Sequence, residues 1–392
     1  MVSTGNNRAV RKRRFVRAWQ KIFVDKDSHE PDFVFIAWLG IILFLGILFL
    51  SSASSVVSFD QFGDAYYLLK QQIFKGVVFG LIAFYILSRI PYRSWQKLSV
   101  PLLILAFILV LLVFVPGVGT EYLGGRRWIN LPGFSFQPSE FLKLALIIYL
   151  AALFSSREKE IGDLQKVFLP FLTVLVLAAF IILSQPDMGT TVLITAISLT
   201  MYFLAGGRLI FLFVLSAIGA VAFWFLIQAA PYRAARFMIF LRPELDPQGI
   251  GYHINQAFLA IGSGGLFGRG FGRSRQKYNY LPEVENDSIF AVIAEELGFI
   301  LVMVLLGIFL LFFYRGIRIA RQAPDTFGRL LAGGIMAWII YQTLFNIMAM
   351  VGLIPLTGTP LPFISLGSSS LVILLGAMGI IVNVSKYSRG RG

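Results

Sequence analysis

Leu281-Pro-Glu-Val-Glu-Asn-Asp287 runs straight into an apolar stretch, Ser288 to Phe313, whose only charges are Glu295 and Glu296. The stretch is longer than the about 20 helical residues that cross a bilayer core about 30 Å thick, so it reads as a membrane span. The three carboxylates just before it then lie at a membrane boundary. An ionisable group there is costly enough that it serves a site more often than a scaffold.

The rest of the chain is of the same kind. Of 392 residues, 57% are hydrophobic and 14% charged, and the mean hydropathy is +0.78, which excludes an ordinary soluble domain. Cysteine is absent and histidine occurs only at His29 and His253. Disulfides, thiolate zinc sites, a cysteine nucleophile and multi-histidine metal centres are thereby excluded. The net charge of +14 is concentrated in a tail holding Arg8, Arg11, Lys12, Arg13, Arg14, Arg17, Lys21 and Lys26. Such a tail beside a span reads as a cytoplasmic anchor on anionic lipid, and no nucleic-acid partner is expected. No cleavable signal is evident.

Ten windows of spanning length can be laid along the chain, at 33–52, 72–90, 98–115, 139–155, 167–185, 188–207, 209–229, 288–313, 328–352 and 363–384. The fold class is therefore an all-α integral membrane protein of about ten transmembrane helices, with a long extracytoplasmic loop between spans 7 and 8. It divides into a basic tail (1–32), a membrane domain (33–386, its loop at about 230–287) and a short tail (387–392). Short cytoplasmic loops are enriched in Lys and Arg. Arg89, Arg93, Lys97, Arg157, Lys159, Lys166, Arg208, Arg315, Arg318, Arg321, Arg329, Lys386, Arg389 and Arg391 all fall on the side of the tail. Both termini are expected in the cytoplasm of a cell whose inner membrane the chain crosses.

Two loops on the opposite side break the charge rule. One carries Arg126 and Arg127; the long one carries Arg233, Arg236, Arg242, Arg269, Arg273, Arg275 and Lys277. Guanidinium groups gathered on an outer face suit an anionic ligand, phosphate above all, although long loops also translocate regardless of charge. Within the long loop, residues 249–261 read as a short amphipathic helix at the interface, with His253 a packed or surface residue. The glycine-rich segment Ile261 to Gly272 offers backbone amides, but without the strand and helix of a nucleotide loop.

Asp287 stands where a helix N-cap belongs, a role compatible with that of a fixed, ionised general base. Glu295 and Glu296 are expected to be structural, at least one of them paired with a cation from another helix. Glu140 and Lys143, three residues apart at the start of the fourth span, can face one another, since opposite charges buried together are tolerable. Asp187 reads as a further cap. Pro355 to Ser370 is an irregular Pro/Gly/Ser segment at membrane depth, tolerated only where it is buried in protein or lines a cavity.

Six motifs in order resemble the SEDS family of peptidoglycan polymerases: Gly125-Arg-Arg-Trp128, Gln137-Pro-Ser-Glu140, Gln185-Pro-Asp-Met-Gly-Thr190, Gly264-Gly-Leu-Phe-Gly268, Leu281 to Asp287 with Ala294-Glu-Glu-Leu-Gly298, and Pro360-Leu-Pro-Phe-Ile-Ser365. The resemblance covers Phe33 to Lys386, and Gly272-Arg-Ser-Arg-Gln-Lys-Tyr278 is more similar to the FtsW/SpoVE branch than to RodA. It implies a glycosyltransferase that joins lipid II into glycan strands outside the cytoplasmic membrane, beside a class B penicillin-binding transpeptidase and the division or elongation machinery. Asp287 matches the family's essential aspartate and is the expected general base. Glu140 and Lys143 match a pair shaping the central cavity. Arg126 and Arg127, with Arg233, Arg236 and Arg275, are candidate pyrophosphate contacts, and Glu283 belongs to the substrate-side motif. A divalent cation, Mg or Mn, is expected as cofactor, with Asp287 a possible ligand.

The chain departs from the family at Val284, Glu285, Asn286 and Ser288, and at Ser368, where glycine is common. Glu285 replaces a histidine, and a second carboxylate beside Asp287 should raise that group's pKa. Two rival classes remain: a flippase or transporter of the lipid-linked precursor, which needs key charges near the midplane, and a non-catalytic scaffold.

Overall fold

The computed structural model describes residues 29–122, 125–131, 134–228, 231–242, 245–249 and 251–388. Most of the basic tail and the terminal Arg389 and Arg391 lie outside them. Helices follow the apolar runs in order: α1 (Phe33–Ala53), α2 (Ser55–Phe62), α3 (Tyr67–Arg89, π-helical over Gln72–Val78), α4 (Arg93–Leu112), α5 (Pro138–Ser156), α6 (Leu164–Leu183), α7 (Met188–Leu204), α8 (Leu209–Gln228), α9 (Pro231–Leu241), α10 (Tyr252–Gly264), α11 (Ile289–Arg321), α12 (Thr326–Met350) and α13 (Ser368–Ser385). Among the described residues, nine are long and apolar enough to cross a membrane. The tenth expected span is α7, whose 17 residues are at the short end of what a bilayer needs.

Alternating crossings put Asp32, the 89–93 turn, the 321–325 turn and Lys386 at one end of the bundle, where polar bonds fasten them. The His29 N–H donates to Lys386 O (2.9 Å), and Arg315 pairs with Asp32 at 2.9 Å. Asp325 caps α12 through the Gly328 N–H while accepting from the Tyr92 hydroxyl (2.6 Å) and Arg93 (3.1 Å). The described ends of the chain thus meet at this basic end. α5 and α13 are buried along nearly their whole length and form the centre, whereas α8 buries only Ile227 and shows its apolar surface outward.

Three features at the opposite end differ from the expectation. The 116–138 connection is not an open loop: Gly119–Tyr122 (β1), Gly125–Leu131 (β2) and Phe134–Phe136 (β3) form an antiparallel sheet in that order, with Ile129 opposite both Gly119 and Phe136. The strands are too short and glycine-rich for alternation to announce them. Irregular backbone also enters α11, where Gly298 takes φ 73° and breaks the helix. The freed carbonyls of Glu295 and Glu296 accept the N–H groups of Arg269 and Gly270, and the N–H groups of Phe299 and Ile300 donate to Gly265 and Leu266. The glycine-rich segment is therefore a plug that restores the backbone bonds of a broken span, as lipid-depth irregularity requires, and its amides are spent inside the protein. Only glycine suits the contact, because a Cβ on Gly298 would lie 2.1 Å from Gly268 N.

The third difference concerns Glu295 and Glu296, whose cationic partners come from the plug and the residues that continue it to Lys277, and not from another helix. Glu295 lies 3.4 Å from Arg269 and accepts the Ser274 hydroxyl (2.5 Å) and the Arg275 and Gln276 N–H groups. Glu296 pairs with Lys277 at 3.2 Å and accepts the Ser52 hydroxyl (2.6 Å), which ties the plug to α1.

Candidate active site

The Pro/Gly/Ser segment between α12 and α13 folds back against the turn preceding α11, and the two build the site at the sheet-bearing end. Ser288, not Asp287, is the N-cap of α11. Its hydroxyl is spent elsewhere, donating to Pro282 O (2.7 Å) and meeting His253 Nε2 of α10 at 2.6 Å. Asp287 stands one position earlier and half-buried. Among the described residues no side chain donates to its carboxylate, whereas those of Glu140, Glu295 and Glu296 are all held. Gly358 flanks it: a Cβ there would sit 3.7 Å from Asp287 Oδ2.

Burial, then the Glu283 carboxylate, push the Asp287 pKa from the ordinary aspartate range up to about 6. Glu285 adds to the rise, while the residue's own N–H and the Arg236 guanidinium oppose it. Desolvation also raises Glu285, with Glu283 adding to it. The repulsion expected of Glu285 is present, but it ranks below burial and below Glu283. His253 is held below its usual range by burial, with Glu283 and Arg236 acting in opposite directions on it. Glu283 takes φ 51°, in the left-handed region, and accepts the Asn286 side-chain amide at 2.7 Å.

The expected site residues divide by place. Glu283 and, more weakly, Arg236 of α9 act electrostatically on Asp287. Arg233, on the same helix, donates to Leu226 O (3.3 Å). Arg275 gives its main-chain N–H to Glu295 and has an exposed side chain. Arg126 is exposed on β2. Arg127 points into the α6–α7 turn, donating to Gln185 O (3.2 Å) and Pro186 O (2.5 Å), with Asp187 3.9 Å away. Asp187 caps α7 through the Thr190 N–H (3.0 Å). Gly189 just inside α7 lies so close to Thr357 O that a Cβ would come within 2.4 Å, so Arg127 braces the turn that supports the 357–359 wall.

Deeper in the bundle Glu140 and Lys143 are paired at 2.8 Å, both buried. Gln342 accepts from Lys143 (3.0 Å), Ser370 donates to Glu140 (3.0 Å), and the Lys143 ammonium lies 4.8 Å from the centre of the Trp338 ring. A narrow cavity beside this network is lined by Gln342, Pro360, Ser365 and Ser370. Among the described residues no three Asp, Glu or His side chains converge into a set able to hold a metal. The described residues thus offer no protein-built site for the expected divalent cation.

Reading residue by residue missed Asn346, Gly358 and the His253–Ser288 contact. Asn346 carried a usable signal, as a polar side chain within an apolar span; Gly358 carried none.

A multi-pass helical membrane protein that presents, at the rim of its bundle, an aspartate with no side-chain donor among the described residues and with a raised pKa is a candidate membrane-embedded acid–base enzyme. A family model described as cell cycle protein, FtsW/RodA/SpoVE, matches residues 32–390, and the chain belongs to that family. It is 42% identical to stage V sporulation protein E of Bacillus subtilis, over 92% of this chain and 98% of that protein. It is likewise 42% identical to the probable peptidoglycan glycosyltransferase FtsW of Trichlorobacter lovleyi, over 91% and 93%. Among solved structures it resembles a chain of a peptidoglycan synthase complex in which polymerization and crosslinking are coordinated (TM-score 0.75, 27% identity, 91% and 97% covered). It also resembles the rod shape determining protein RodA of Thermus thermophilus (TM-score 0.67, 26% identity, 92% and 98% covered).

Proposed function

We propose that the chain is a peptidoglycan glycosyltransferase that polymerises lipid II at the outer face of the cytoplasmic membrane, with inversion at the donor sugar. The observation that carries this reading is the Asp287 carboxylate, to which no side chain among the described residues donates and whose pKa burial raises to about 6. A general base works best with a pKa near the operating pH. At pH 7 Asp287 is ionised and basic enough to accept the proton of the acceptor 4-hydroxyl. That oxygen forms the new glycosidic bond at the anomeric carbon as the bond to pyrophosphate breaks, and the negative charge departs with the lipid pyrophosphate.

Arg236 is the pyrophosphate contact best supported by position, with Arg275 and Arg126 on the exposed rim. A divalent cation, Mg or Mn, is proposed to arrive with the pyrophosphate, and activity measured against added chelator tests that. Both termini are proposed to lie in the cytoplasm, which the lysines and arginines on the turns at that end support. A class B penicillin-binding transpeptidase is the proposed partner, supported by the likeness to a chain of a synthase complex. The rival transporter reading needs an unsatisfied charge at depth to carry cargo, and Glu140 and Lys143 are closed on each other and on Gln342 and Ser370.

The test is polymerisation of lipid II by purified protein, with and without the transpeptidase. Asp287→Asn should leave no glycan ladder; ladders of equal length in both proteins would remove Asp287 from the mechanism.

A further inference from the structure

Resting on the assignment of Asp287 as base, we propose that Asn346 and Ser365 are positioning residues that clamp the main chain of 285–287 and so set the direction of the Asp287 carboxylate. Three consecutive carbonyls of this turn are held from outside it. The Leu366 N–H donates to Glu285 O (2.8 Å), the Ser365 hydroxyl to Asn286 O (2.6 Å), and the Asn346 side-chain amide to Asp287 O (2.8 Å).

None of these donors is local. Asn346 lies on α12 and the other two in the segment before α13. Water can satisfy carbonyls of a loop at a membrane surface; here two of the three donors are side chains only 1% and 6% exposed. Asn346 spends its second amide proton on Thr359 O (2.9 Å), which fastens the base to the wall that includes Gly358. Ser365 also accepts the Leu361 N–H (2.8 Å), which fixes its hydroxyl toward Asn286. The buried Asn346 Oδ1 has no partner among the described residues, an arrangement that costs stability and is retained because both amide protons are in use.

No side chain among the described residues steadies the carboxylate, and only two side-chain torsions separate its oxygens from the clamped main chain. Holding that main chain leaves the oxygens free for an incoming hydroxyl while confining where they can be. Pre-organisation of this kind matters because a misplacement of about 1 Å can cost about 10²-fold in rate.

The experiment uses the full chain with its transpeptidase and lipid II, comparing wild type, Asn346→Ala, Ser365→Ala, Ser365→Thr and Asp287→Asn. For both alanine variants kcat should fall by about 10²-fold while KM for lipid II stays within about twofold. The acid limb of the pH profile should also move toward the ordinary aspartate range, because an unclamped carboxylate reaches water. Ser365→Thr keeps the hydroxyl and should recover most of kcat. Should Asn346→Ala not fold, Ser365→Ala and its threonine counterpart decide the matter. The clamp is overturned if the alanine variants keep wild-type kcat while Asp287→Asn is inactive, or if kcat and thermal stability fall together with no change in the pH profile. Activity surviving in Asp287→Asn would instead overturn the base, whatever the alanine variants do.

Discussion

Asp287 is held in a state that favours chemistry over stability. Its folded pKa of about 6 lies above the ordinary aspartate value, with burial as the largest cause. A raised pKa means the folded protein binds this proton more tightly than the unfolded chain does. The associated stability is fully present below the ordinary aspartate pKa and is lost as pH rises through about 6, so at neutral pH the ionised carboxylate is a net cost. Asp287→Asn should therefore abolish polymerisation yet raise thermal stability at pH 7.5, by at most ~3 kcal/mol for a shift of about two pKa units. A melting curve unchanged or lowered would contradict the burial argument. For activity the sign is reversed, because the base must be ionised: the rate should fall as pH drops through about 6. Glu283→Gln should move that limb to lower pH and Arg236→Gln to higher pH; shifts in the opposite senses would mean that neither charge acts on Asp287. At this scale the sequence exposed Asp287 and the Glu140–Lys143 spacing. It did not reveal that Arg127 is occupied by the carbonyls of Gln185 and Pro186, since nothing in a local motif shows which acceptors a long side chain meets.

Among elements, α11 and its plug form the least replaceable unit. A glycine inside an apolar run reads as one more helical residue, which is why the break at Gly298 could not be foreseen, while the ten spans themselves were plain from hydropathy. Gly298→Ala must combine a left-handed alanine with a Cβ driven into Gly268 N, and should cost more than about 3 kcal/mol. That loss is read as yield of monodisperse protein in detergent. The plug's ion pair allows a sharper test. Lys277→Met leaves the buried Glu296 without its cation and should cost about 3–5 kcal/mol, whereas Lys277→Met with Glu296→Leu should recover most of it, because a buried pair is often replaceable by apolar packing. A double variant no more stable than the single one would show that the pair's worth lies in its bonds to Ser52 and Ser274.

Over the whole molecule, the plug and the site account for cations that broke the charge rule when read from sequence. Lys277, Arg269 and Arg127 lie within 4 Å of Glu296, Glu295 and Asp187, so part of the positive charge at the sheet-bearing end is neutralised internally. The opposite end keeps exposed Arg and Lys on its turns, Arg157 and Lys159 among them. With that correction the asymmetry points one way, and by the positive-inside tendency the end bearing Lys159 is the one proposed to face the cytoplasm. The reaction requires the same orientation if the lipid-linked donor is consumed outside. The chain contains no cysteine, so single-cysteine variants can be made directly in the natural sequence. Arg273→Cys and Lys159→Cys replace exposed residues at opposite ends. In intact cells stripped of their outer barriers, a membrane-impermeant maleimide should label the cysteine at 273 at once and the one at 159 only after the membrane is permeabilised. The reverse pattern would turn the protein over and leave Asp287 facing the cytoplasm, and equal labelling of both would break the count of ten crossings, so either result would detach the carboxylate from a substrate that waits on the far side.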